Sequence, residues 1–208
     1  MLVQLTFFSP VIQYVLMASG DDIVFEKYDN FQKQTYRNRC YIYGANGKQL
    51  LTVPVMHAKN SQRQKTKDVR IDNSFSWKKN MVKSLESSYR SSPYFEFYED
   101  DVLEIFNKDH DFLLDLNLHA HEMVSQCLGL EATIRFTESY LEEWPGGEDY
   151  RYLAKAKGEP AYPLKKYTQV FENKHGFLAN LSILDLLFNE GTNALHYLEA
   201  HRPLFMNP

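Results

Sequence analysis

Cysteine is scarce: Cys40 and Cys127 are all the chain has, with no Cys-x-x-Cys pair and no metal-ligand spacing. A disulfide-stapled secreted scaffold is thereby excluded, and a reduced, cytoplasmic protein is the expectation. Long apolar runs are missing too. The opening stretch MLVQLTFFSPVIQYVLMASG carries no basic residue and is interrupted by Gln4, Thr6, Ser9, Pro10 and Gln13, so it reads as neither a signal peptide nor a membrane span. No His-Glu-x-x-His helix, nucleophile elbow or Gly-rich phosphate loop occurs, and there is no internal repeat.

What remains is an ordinary globular composition, 44% hydrophobic and 24% charged, on a length of 208 residues that suits a single domain spanning 1–208. The charge is lopsided. Residues 27–90 hold 14 Lys/Arg against 4 Asp/Glu while the rest hold 9 against 23, a net of +10 against −14. Such asymmetry bears on partners and association rather than on fold. Its densest part is Asp29 to Arg39, DNFQKQTYRNR, where Lys33, Arg37 and Arg39 stand among amides and aromatics. An anionic small molecule is the expected ligand. Nucleic acid is disfavoured by a pI near 6.0 and by the lack of helix-turn-helix or RNP-like signatures. The acidic stretch 96–115 offers another outlet for the basic surface, a second copy of the chain in a homo-oligomer.

Leu2 to Phe8 reads as a buried strand, Val11 to Ala18 as a helix with Ser9 as its N-cap, and Ile23 to Tyr28 as a second strand, together a compact βαβ unit with a parallel pair. Cys40 to Tyr43 and Leu50 to Val55 flank GANGK, whose Asn46-Gly47 pair predicts a tight hairpin. Ala58 to Lys67 reads as a mobile loop and Asp68 to Ile71 as a short strand. Helices are predicted over Phe75 to Arg90, from Pro93 to about Phe106, and from Asp109 to Leu128 with Gly129 at the C′ position. Thr133 to Phe136 and Tyr167 to Phe171 read as strands. Ser182 caps a short apolar helix through Phe188, and Asn193 to Ala200 forms a last one. The fold class is therefore mixed α/β: a mainly parallel, Rossmann-like sheet with a β-hairpin and packed helices.

Several blocks in this order resemble the bacterial WbqC-like family: Phe8-Ser9-Pro10 with Ile12-Gln13-Tyr14, Gln32-Lys33, Tyr36-Arg37-Asn38-Arg39 and Thr52-Val53-Pro54-Val55. Ile71-Asp72 with Trp77, Ser92-Pro93-Tyr94-Phe95 and the closing Leu181-Ser182-Ile183-Leu184-Asp185-Leu186-Leu187-Phe188-Asn189 continue the series. The chain differs in having Ser9-Pro10 where many relatives have Gln-Pro, and only Trp144 to Tyr150 echoes a longer Gly-rich segment, which marks a short branch. The resemblance implies a bacterial cytoplasmic protein linked with surface-polysaccharide or O-antigen synthesis. The opening strand, Pro and helix also look similar to pantothenate-synthetase-like nucleotidyltransferases, a distant fold analogy. The His-x-x-His or His-x-Gly-His of those enzymes is absent from Val11 to Ala18.

Candidate ligand contacts are Lys33, Arg37 and Arg39, whose side chains match phosphate or carboxylate, with Gln32, Tyr36 and Asn38 of the same block. The bland alternative is a solvated basic surface. Ser9, Gln13 and Tyr14 would surround the end of the first strand, where open α/β sheets bind ligands and where a helix N-terminus favours anions; equally, Ser9 is only an N-cap and Tyr14 only core. Gln169 and Asn180 are further candidates to line a cleft with Tyr167. For catalysis, His57, which follows the Thr-Val-Pro-Val strand and precedes the basic loop, is a candidate general acid/base, and Tyr14 and Asp72 are further candidates, against a loop histidine, core and capping residues without a catalytic role. His119 and His121 are two apart on a helix and diverge, so no metal site is expected. Two functions follow: a transferase acting on a nucleotide sugar or related anionic precursor, or a non-catalytic binding or assembly protein for a polyanion or a protein partner. Reaction and cofactor stay open.

Overall fold

A computed structural model of the chain describes residues 1–18, 22–56 and 63–206. The first βαβ unit forms with its expected parallel pair, but with shorter strands: the first ends at Gln4 rather than Phe8 and the second at Glu26 rather than Tyr28. Strand β1 (Leu2–Gln4), helix α1 (Val11–Met17) and strand β2 (Ile23–Glu26) follow one another, and β1 pairs parallel with β2 through Leu2 and Val24, Val3 and Phe25, Gln4 and Glu26. Every residue of both strands is buried, as parallel strands covered on both faces require. Strand β5 (Ile134–Phe136) joins the other side of β2, giving the order β1-β2-β5, all parallel. The outer edge of β1 is covered as well: Leu2 N donates to Glu148 O (2.9 Å) and Tyr150 N to Leu2 O (2.8 Å).

The hairpin consists of β3 (Arg39–Gly44) and β4 (Gly47–Thr52), paired antiparallel from Arg39 with Thr52 to Gly44 with Gly47. Positive φ at its turn falls on Gly47 alone (95°), not on Asn46. Helices α2 (Trp77–Tyr89), α3 (Phe95–Asn107) and α4 (Leu113–Leu128) follow, and Gly129 ends α4 with φ 67°. The C-terminal part holds α5 (Glu172–His175), α6 (Ile183–Glu190), α7 (Ala194–Ala200) and α8 (Pro203–Met206). Helix α1 packs on α6 and α7, and their apolar faces join the sheet in one core.

Four expectations are corrected. Asp68 to Ile71 is not a strand: a 3-10 turn covers Thr66–Asp68, and Arg70 and Ile71 make only isolated bridges to Phe112 and Val55. The α4 helix begins at Leu113 rather than Asp109, because Asp111 O accepts from Ile71 N and Leu113 N donates to Val69 O. Among the described residues Tyr167 to Phe171 pairs with no strand; Gln169 substitutes its side chain for a ladder, exchanging hydrogen bonds with the Leu178 backbone. Ser9 does not cap α1. The free N–H groups of that helix go to Leu181 O, from Val11 (2.9 Å), and to Asn180 Oδ1, from Ile12 (2.8 Å). His57 and Ala58 to Gln62 lie outside the described residues.

Candidate functional site

Because β1, β2 and β5 are parallel, their carboxyl ends share one edge, the side on which open α/β sheets bind ligands. A cleft of about 400 Å³ opens there. Its floor is Gln4, the last residue of β1, with Asp29 and Arg37. Asp29 Oδ2 accepts from Arg37 Nη2 (2.5 Å) and Gln4 Nε2 (2.9 Å), while Oδ1 accepts from Thr66 Oγ1. Arg37 reaches Thr35 Oγ1 through Nη1 (3.3 Å), and its carbonyl accepts from Asn117 Nδ2 on α4 (2.8 Å). All three floor residues are buried, yet Gln4 Oε1 and Arg37 Nε have no hydrogen-bond partner among the described residues. An orphaned buried polar atom costs about 1–3 kcal/mol, so the floor is unsatisfied on its own.

One wall comes from the segment that covers β1. Arg151 holds Asp149 through Nε and Nη2, reaches the carbonyls of Leu141 and Glu142, and stacks over the Tyr140 ring at 5.4 Å. Behind it, fully buried Glu26 at the end of β2 accepts from Tyr28 N (2.6 Å) and Thr137 Oγ1 (3.0 Å), with Oε2 3.7 Å from Arg151 Nη1. Burial works to raise the Asp149 carboxyl, but hydrogen bonds from Arg151 outweigh it and hold Asp149 below its ordinary value, so it is ionised at neutral pH. Tyr140, Tyr152 and Lys155 are exposed at the mouth, as is Gln32. The cleft thus combines two aromatic faces, amide and carboxylate hydrogen-bonding groups and one rim ammonium. None of the described residues that line it is a histidine or cysteine.

Of the residues predicted for a site, Gln32 and Arg37 line this cleft. Arg37 is neutralised by Asp29 and is not a surface cation, while Lys33 is exposed and Arg39 half-buried at the start of β3. Ser9, Gln13 and Tyr14 are fully buried beside β1: Gln13 Nε2 donates to Gln4 O (2.6 Å), Thr6 Oγ1 lies 2.7 Å from Ser9 Oγ and 2.9 Å from Gln13 Oε1, and Tyr14 Oη is 3.2 Å from His121 Nδ1. They support the floor from behind. Tyr36 and Asn180 meet on a different carboxylate, Glu159, which accepts from both; burial pushes Glu159 up. Asn38 Nδ2 donates to Val53 O. Asp72 makes a turn with Ser74 before α2. Gln169 joins Tyr89 and Tyr167 in donating to buried Asp185 on α6.

Sequence reasoning missed Gln4, Asp29, Asn30, Tyr140, Asp149, Arg151, Tyr152 and Lys155. The available signal was Gln4 itself, a polar residue closing an otherwise apolar buried strand. Among the described residues no three His, Cys, Asp or Glu side chains are grouped to hold a metal ion, and no helix is long and apolar enough to cross a membrane.

The sequence profile of the WbqC-like protein family matches residues 6–158, which include Asp29, Arg37, Asp149 and Arg151. The chain belongs to the WbqC-like protein family. A similar protein is the uncharacterized protein Rv1507c of Mycobacterium tuberculosis (strain ATCC 25618 / H37Rv), 28% identical over 217 residues that cover 90% of this chain and 91% of the relative. No solved structure matches. Most of the WbqC-like cleft, apart from Gln4 on β1, therefore falls within the matched region.

Proposed function

We propose that the cleft at the carboxyl edge of the sheet binds a nucleotide sugar or a related anionic sugar precursor, and that the protein is a cytoplasmic transferase acting on it in surface-polysaccharide or O-antigen synthesis. The observation that carries this reading is the unsatisfied floor, Gln4 Oε1 and Arg37 Nε, beneath a mouth of two exposed tyrosines and Lys155. Polyhydroxylated ligands suit a site rich in amides and carboxylates, rings suit tyrosine faces, and a phosphate suits the Lys155 ammonium at the rim. Asp149, charged and fixed by Arg151, accepts a ligand hydroxyl. The WbqC-like resemblance supplies the biosynthetic setting.

A second reading, binding without catalysis, is favoured by one feature: both cleft-lining carboxylates, Asp29 and Asp149, are engaged by arginines, and among the described residues that line the cleft there is no imidazole or thiol. Calorimetric titration with nucleoside diphosphates and nucleotide sugars tests the site, using the parent, Tyr152→Ala and Lys155→Ala. Both positions are exposed, so the fold tolerates the changes. Saturable binding by the parent, weakened about tenfold in each variant, is expected. Absence of binding by all these compounds, or binding indifferent to both substitutions, overturns the assignment. Release of nucleotide from a bound sugar donor separates transferase from binding protein.

A further inference from the structure

Helices α2 and α3 run antiparallel: Trp77 at the start of α2 meets Phe106 near the end of α3, and Arg90 just past α2 bonds Glu99 near the start of α3. Their buried faces follow helical spacing, Trp77, Met81 and Leu85 on one, Phe95, Tyr98, Val102 and Ile105 on the other. On the solvent side the two helices differ in charge. Exposed Lys79 and Lys83 form a basic ridge at i, i+4 on α2, and exposed Glu96, Asp100 and Glu104 form an acidic ridge at i, i+4, i+8 on α3. Like charges at this spacing cost an isolated helix a few tenths of a kcal/mol per pair. Among the described residues neither Lys79 nor Lys83, and neither Asp100 nor Glu104, has an ion-pair partner. Between the ridges lies a slit floored by Val82, Leu85, Val102 and Leu103, with a volume of about 10 Å³. That is too small to enclose a ligand molecule.

We propose that this face docks a second copy of the chain. A two-fold axis along the slit places the basic ridge of each copy over the acidic ridge of the other, while an axis across the slit would stack like on like; closed two-fold contacts are the commonest oligomer geometry. The antiparallel pairing that sets Trp77 against Phe106 and Arg90 against Glu99 puts Val82 opposite Leu103, and Glu86 opposite Glu99, among the residues that line the slit. In that register Lys83 falls over Asp100 of the other copy and Lys79 over Glu104, each pair occurring twice, with the two slits closing against each other. None of these residues lines the cleft, so the inference stands apart from the proposed ligand.

The test is sedimentation velocity of the full chain at about 0.1 M and about 1 M salt, between which the screening length falls from about 10 Å to about 3 Å. The parent is expected to be dimeric at the lower salt and to dissociate at the higher. Lys79→Glu with Lys83→Glu, and separately Asp100→Lys with Glu104→Lys, weaken the dimer roughly ten- to hundredfold, and all four changes together restore it. Circular dichroism confirms that each variant is folded; the substituted positions are exposed. A parent monomeric at both salts, double variants that dimerise as the parent does, or folded double variants whose combination fails to recover the dimer each overturn the proposal.

Discussion

Asp29 accepts hydrogen bonds from Gln4, Arg37 and Thr66 at once, and its side chain and that of Arg37 are nearly inaccessible to water. Removing one member of such a pair strands the other charge in a poorly solvated place. Arg37→Ala is therefore expected to lower stability by about 3–5 kcal/mol in urea titration, whereas Lys33→Ala, at an exposed position, stays within about 0.5 kcal/mol. This asymmetry inside one basic block is invisible in its composition. His121 offers a second test. Burial pushes its imidazole down to about 4 from an ordinary 6.5, so the unfolded chain takes up a proton that the folded one refuses. Stability from this group is complete above pH 6.5 and declines as pH falls toward 4, by about 3 kcal/mol in all. His121→Gln lowers stability at pH 7 through the lost Tyr14 contact, and flattens the slope of stability between pH 6.5 and 4.

At the level of elements, the start of α1 depends on residues far along the chain. Asn180, held at φ 55°, accepts a hydrogen bond from Ile12 N at its side-chain oxygen, and the Leu181 carbonyl accepts one from Val11 N. Two residues on, Ser182 caps α6 through Leu184 N while donating to Phe8 O. Asn180→Ala and Ser182→Ala are each expected to cost about 1–2 kcal/mol by thermal unfolding, from lost caps and a carbonyl left unpaired. The cap at Ser182 was legible because it is local: a serine precedes an apolar run. The cap of α1 was not, since no pattern in Ser9-Pro10 points to residue 180. For the same reason the hairpin and helices α2 and α3 could be read from spacing, while Asp68 to Ile71 could not. Its alternating apolar residues pair with short irregular segments around Val55 and Phe112 rather than with a strand.

Across the whole molecule, the parallel β1-β2 pair and its carboxyl edge, where the ligand site is proposed, follow from the first thirty residues, but the cleft does not. Gln32 and Arg37 announce themselves by charge and amide content; Asp149, Arg151 and Tyr152 reach the same place only because residues 148–150 lie along β1. That juxtaposition is long-range backbone pairing, which leaves no mark in local composition. With β1 bonded to β2 on one side and to this distant segment on the other, refolding is expected to take milliseconds to seconds rather than microseconds, as stopped-flow fluorescence of Trp77 and Trp144 would report.

The covering of β1 by residues 148–150 also sets a timetable for synthesis. Leu2 leaves the ribosome well before its outer hydrogen-bond partners, Glu148 and Tyr150, which follow it by about 150 residues. At about 5–20 residues per second the first strand waits on the order of ten seconds with that edge uncovered. Throughout this interval Leu2, Val3, Leu5, Phe7 and Phe8, all buried in the finished protein, form a nascent apolar segment for a ribosome-associated chaperone to hold.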